Sequence, residues 1–286
     1  MNNNLFYKTF VVILMLTFTV NYHIKAVEQE NNNLPVDFNI NIIPWQEVKD
    51  IIPNKTKFTI IDFETGLSFN VQRRAGKSHA DVQPLTKRDT QTMKEIYNNS
   101  WSWNRRAIIV KINNQLIAAS MHGMPHGAGA LNNGFPGHFC VHFIGSKTHK
   151  SGKEDLSHKI MILKSGNMLN DYLTKVNPKE LIQIFAVGIN QEDDYLLDLT
   201  LTQSENQQEF NKLVEDITRI DINEMELESQ IRKNDLLVNI PVIVKITTKE
   251  NRIVKKTIQF TIQKTGLTDR WLINRDSLYE EFNGRE

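Results

Sequence analysis

A single cysteine, Cys140, stands among the 286 residues, so no intramolecular disulfide can brace this chain. Its fold must rest on packed apolar surface. An unpaired thiol serves as a catalytic group, as an intermolecular bridge, or as an inert buried hydrophobe. The setting favours the first. Gly137-His-Phe-Cys-Val-His142 puts an imidazole two residues to either side of the thiol, and a His122-Gly123 pair lies eighteen positions before it. Thiolates attack carbonyl carbon efficiently, and a nearby imidazole activates the thiol.

The amino terminus carries Lys8 and then the apolar run Phe10 to Val20. That run is too short to span a bilayer, where about 20 apolar residues are needed, and reads as a secretory signal over residues 1–26 with Ala26 as the cleavage point. Left uncleaved, it would attach the protein to a membrane. Either way the expected location is extracytoplasmic, at the cell envelope. With 34 basic and 33 acidic residues the net charge is +1, which gives no electrostatic case for a nucleic-acid partner.

Residues 27–55, rich in Asn and Gln, read as a linker. The periodicity beyond it predicts a β-rich unit over 56–173. Phe58–Phe63 and Leu67–Val71 form a hairpin around Gly66, and Thr86 to Tyr97 is a helix opened by a capping box with Asp89. Ala107–Ile112 and Gln115–Met121 are strands joined by an Asn113-Asn114 turn. His122 then sits at a strand end, and a Gly- and Pro-rich loop runs to the short strand Phe139–Ile144 that carries Cys140. Residues 174–286 predict helices (Pro178 to Val187, Asn206 to Ile217) followed by strands at Met225–Ile231, Leu236–Thr247, Arg252–Gln263 and Trp271–Asn274. That order gives an α+β accessory unit. Residues 159–286 contain no histidine or cysteine, so the first unit is expected to fold alone and to carry the chemistry.

Acyl transfer needs a nucleophile, a base and oxyanion donors. Cys140 supplies the first, His122 is the candidate base, and His138 shares a strand face with Cys140 and orients the reacting groups. Backbone N–H groups of Phe139 and Cys140 are the oxyanion candidates. Gly123, His126, Phe139 and His142 are expected to meet substrate, as is the patch formed by Trp101, Trp103, Arg105 and Arg106, through stacking and bidentate pairing. His149 and His158 read as surface residues. The primary reading needs no cofactor. A zinc hydrolase is the competing chemistry, with His79, Asp81, His122 and His138 as ligands and His126, Cys140 and His142 close in sequence. The His122–His126 spacing suits a helix, yet Gly123, Pro125 and Gly127 exclude one there. A non-catalytic binding module is a further alternative.

At these residues the chain resembles the L,D-transpeptidases, cysteine enzymes that cross-link peptidoglycan stems. The family pattern is a His-Gly at a strand end, a glycine-bearing loop, then Ser-His-Gly-Cys-Ile/Val-Arg. Here it stands as His122-Gly123, the loop, and Gly137-His138-Phe139-Cys140-Val141-His142, with Gly137, Phe139 and His142 departing from the pattern. The resemblance covers about residues 57–165 and implies a mainly β catalytic domain, an acyl-thioester on Cys140, peptidoglycan stem peptides as partners, and transpeptidase or carboxypeptidase outcomes. Residues 174–286 resemble the cone-shaped α+β domains of the nuclear-transport-factor-like superfamily, through Asn177 to Phe185 and Thr265 to Asn274. That likeness implies an accessory role.

Overall fold

The computed structural model of the protein describes residues 39–148, 152–225, 231–232 and 234–284. The expected signal segment, His149 and most of the expected strand Met225–Ile231 lie outside them. No helix among the described residues is long and apolar enough to cross a membrane.

Six strands close on themselves. β2 (Lys57–Asp62), β3 (Ser68–Ala75), β4 (Ala80–Pro84), β5 (Arg105–Ile112), β6 (Gln115–His122) and β7 (Phe139–His142) pair in the order β6-β5-β2-β3-β4-β7, and β7 pairs back onto β6. All these pairings are antiparallel, with Ile60 opposite Phe69 and Val110, and Cys140 opposite Asp81. Asn113 and Asn114 take positive φ (47° and 61°) in the turn between β5 and β6, a conformation that asparagine tolerates. The helix α2 (Lys87–Ile96) opens on the expected capping box, with Thr86 and Asp89 bonding each other's backbone N–H.

Strand alternation divides the barrel chemically. Ile60, Phe69, Val71, Val82, Ile108, Val110, Ile117, Phe139 and Val141 form one core with Met93 and Ile96 of α2. The opposite faces of β4, β5, β6 and β7 carry Asp81, Arg105, Ser120, His122, Cys140 and His142, and α3 (Leu156–Ser165) packs over β5 and β6.

Residues expected in the linker belong to this fold. From Asn39 onward, β1 (Ile40–Asn41) pairs in parallel with β6, and α1 (Trp45–Ile51) buries Trp45 and Val48 in the barrel core. The polar composition before residue 39 obscured that apolar pair. His79 sits in the bend just before β4, and Ala80 and Asp81 open that fully buried strand.

Beyond α3 come α4 (Leu169–Leu173), α5 (Pro178–Gln191), α6 (Asp194–Thr200), α7 (Gln207–Glu215) and a curled four-stranded antiparallel sheet. Its order is β11 (Leu272–Ile273), β10 (Ile253–Gln263), β9 (Leu237–Thr248), β8 (Ile217–Met225), and α8 (Arg275–Asn283) follows. The strand β8 occupies Ile217–Met225, ahead of the span expected to be a strand, and starts at the residue expected to end a helix. The protein is a mixed α+β fold. Its second core takes in Ala107 of the barrel and Ile160 and Met161 of α3 together with Leu181, Phe185, Val242 and Phe260, so it draws on both sides of residue 173.

Candidate functional site

Between the polar face of β4–β7 and α3 lies a cavity of about 640 Å³ lined by His79, Trp103, Arg105, His122, His126, Cys140, His142, Thr148, Asp155 and His158. Five of its ten lining residues are histidines. Cys140 is at the centre and is 3 % exposed.

Its nearest imidazole is His126, with Sγ 3.3 Å from Nε2. His126 Nδ1 lies 3.1 Å from the Met124 carbonyl oxygen. A carbonyl only accepts, so Nδ1 carries the proton and the lone pair on Nε2 faces the thiol. His126 is held there by a clamp. Its N–H donates to the His138 carbonyl and its own carbonyl accepts the return bond from the His138 N–H, both at 2.9 Å, closing the loop at its base. Glycine is required beside each end of the clamp. Gly127 has φ +60° and a Cβ there would meet the His138 ring at 2.3 Å, while Gly137 has φ +129° and a Cβ would meet the His126 carbonyl oxygen at 2.5 Å.

His122, at the end of β6, comes with His126 and Cys140 into one group whose ligand-type atoms all lie within 4.8 Å of one another. It is buried under Trp103, ring centroids 4.7 Å apart, and its Nδ1 has no hydrogen-bond partner. Burial, with His126 and Arg105 beside it, holds this imidazole well below its ordinary range, so it is neutral.

On the other side of the thiol, His79, His142 and His158 stack. Centroids are 4.5 Å apart for the first pair and 3.8 Å for the second, with interplanar angles of 11° and 6°. His79 Nδ1 donates to the Lys147 carbonyl at 2.7 Å and its Nε2 faces Asp81 Oδ1 at 3.2 Å. His158 bonds the Ser120 hydroxyl at 2.9 Å and is 3 % exposed. The expectation of a surface position for His158 is corrected: α3 turns it under the barrel. Burial, then His142 beside it, keeps it neutral as well.

Cys140 itself is shielded from solvent and has the Asp81 carboxylate 3.8 Å away. Burial first, and then that carboxylate, pushes the thiol well up. The thiol is therefore protonated at rest.

Other predicted residues separate from the cavity. His138 turns its Nδ1 to the Ala128 carbonyl (3.0 Å) and packs against His126 edge-on, centroids 4.5 Å apart, without lining the cavity. The Phe139 side chain points into the barrel core. Gly123 backs onto the Tyr97 ring. The Trp-Arg patch divides: Trp103 and Arg105 line the cavity, Trp101 in the segment before β5 packs on Phe135, and alternation along β5 turns Arg106 to the other face, where it forks onto the buried Asp62 at 2.7 and 2.8 Å. Asp155, which the sequence did not single out, caps α3 through the His158 N–H and holds Arg105 at 3.1 Å. An Asp immediately before an apolar helix was the available signal.

A scan of protein-family models, a search of curated proteins and a search of solved structures return no match to this chain.

Proposed function

We propose that the protein is a cysteine acyltransferase or hydrolase, with Cys140 as nucleophile and His126 as its base. The contact of Cys140 Sγ with His126 Nε2, in a tautomer set by the Met124 carbonyl, carries this reading. Because the thiol is neutral at rest, attack and proton transfer are coupled. Sγ bonds to the carbonyl carbon as its proton passes to His126 Nε2. Collapse of the tetrahedral adduct expels an amine, which takes that proton, and leaves a thioester on Cys140. An amine or water then attacks the thioester, with His126 again receiving and returning the proton.

His138 supports the base by packing on its ring, and His122 lies behind it. The resemblance in the segment from His122 to His142 supports peptidoglycan stem peptides as the acyl donors and an L,D-transpeptidase or L,D-carboxypeptidase outcome. A cavity of about 640 Å³ is within the size range of small-ligand sites, and Arg105 in its wall suits a stem carboxylate. Export to the envelope, proposed from the apolar run at 10–20, would bring enzyme and wall together.

Mass spectrometry of the protein incubated with stem peptides tests this directly. A thioester adduct on Cys140, absent in Cys140→Ala, is expected. A folded protein that reacts with small alkylating reagents at Cys140 but gives no acyl adduct would remove the proposal.

A further inference from the structure

We infer that His122, His126 and Cys140 form a binding site for a borderline-soft divalent cation of the zinc type, with its fourth position open to the cavity. The donor set of two imidazoles and one thiol is characteristic of zinc. At zinc, bond lengths of about 2.1 Å to nitrogen and 2.3 Å to sulfur with tetrahedral angles separate N from S by about 3.6 Å and N from N by about 3.4 Å. Sγ and His126 Nε2 are already 3.3 Å apart. All three donors lie within 4.8 Å of one another, so displacements on the order of 1 Å in the side chains complete the site.

Two independent features point to a ligand. His122 is 4 % exposed, lines the cavity, and leaves Nδ1 without a hydrogen-bond partner, an uncompensated cost that a cation removes. His126 is oriented by a backbone carbonyl on its far nitrogen, the arrangement that fixes metal-ligating imidazoles. The group formed by His79, Cys140 and His142 is the other candidate. It is less suited, because His79 Nε2 is engaged with Asp81 at 3.2 Å.

Loading converts the Cys140 thiol to a metal thiolate and releases its proton to solvent. Since the cation takes the thiol sulfur and His126 Nε2 together, occupancy and thioester formation exclude each other. That regulatory consequence rests on the proposed thiol chemistry; the binding site itself does not.

Titration of the full-length, reduced protein with Co²⁺, followed by absorbance, tests the site. One equivalent with a thiolate-to-cobalt charge-transfer band, displaced by Zn²⁺, is expected. Loss of an outer-sphere partner costs about 10- to 100-fold in affinity, so loss of a ligand in Cys140→Ser or His122→Ala should cost at least about 100-fold. His79→Ala should bind normally. Zinc should also protect Cys140 of the unmodified protein from alkylation, a readout that does not depend on any variant folding. No charge-transfer band, unchanged alkylation with zinc present, or loss of binding in His79→Ala with retention in His122→Ala would each overturn the inference. Should the zinc-loaded protein be the form that acts on stem peptides, the metal site stands and the free-thiol reaction falls.

Discussion

His126 rather than His122 touches the thiol, and the reason is visible only in three dimensions. Sequence logic placed His122 correctly at a strand end, but the imidazole beside the thiol belongs to a loop residue that a two-way backbone bridge to His138 pins over β7. The alternation of His138, Cys140 and His142 was legible as a shared strand face; that His138 would leave the cavity for the loop carbonyl of Ala128 was not, because the clamp depends on Gly127 and Gly137 adopting positive φ. His126→Ala should therefore slow thioester formation by roughly 10²- to 10⁴-fold, the range for a positioned base. His138→Ala should lose less, since it packs on the base without touching the thiol. Single-turnover adduct formation followed by mass spectrometry ranks the two, and equal losses would contradict the assignment.

Among the elements, those with local signals were readable and those defined by distant partners were not. The hairpin of β2 and β3, the Asn-Asn turn and the helix α2 carry their own turn and cap residues. α1, β4 and α3 are specified by what they cover: Trp45 by the barrel core, Asp81 by the cysteine strand, His158 by Ser120. Even the legible capping box does more than cap. Asp89 accepts the Thr86 N–H at 2.9 Å and also the Asn70 N–H of β3 at 2.8 Å, so it ties α2 to the barrel. Thr86→Ala should cost about 1 kcal/mol, the usual value of a lost cap. Asp89→Ala leaves two backbone donors without their acceptor and should cost about 2–3 kcal/mol. Urea unfolding of the two variants checks the order, and a larger loss in Thr86→Ala would show that the tie to β3 contributes nothing.

At the scale of the whole molecule, the boundary expected near residue 173 is crossed by packing and by charge. Lys164 of α3 is buried between Glu64 of the barrel (2.9 Å) and Asp193 beyond α5 (2.6 Å), and Gln191 accepts the Arg105 N–H at 2.5 Å. A chain truncated after Leu173 strips the apolar cover from Ile160 and Met161 and leaves Lys164 with one of its two partners. It should fail to unfold cooperatively and should bind hydrophobic dyes; a sharp transition in that fragment would restore the two-domain reading. Acid should also act on the whole protein. His122 and His158 are held neutral by burial, so below the unfolded histidine value of about 6.5 the unfolded chain takes up protons that the native one refuses. Stability of the metal-free protein should fall as pH drops below about 6.5, by up to about 1.4 kcal/mol per pH unit for each group, and His158→Gln should remove one share of that slope. Urea midpoints at neutral and mildly acidic pH measure it, and a flat profile would contradict the buried neutral state. The bridge made by Lys164 has one more consequence. Because α3 is both the roof of the cavity and the joint between the halves, a molecule lodged beneath it stabilises everything that must come apart together. A ligand at a hundredfold excess over its dissociation constant adds about 2.7 kcal/mol, which for a protein of this size is a rise of roughly 5–10 °C in melting temperature. The protein is in effect its own detector, and a melting screen of wall fragments tests the proposed substrate class before any reaction is observed.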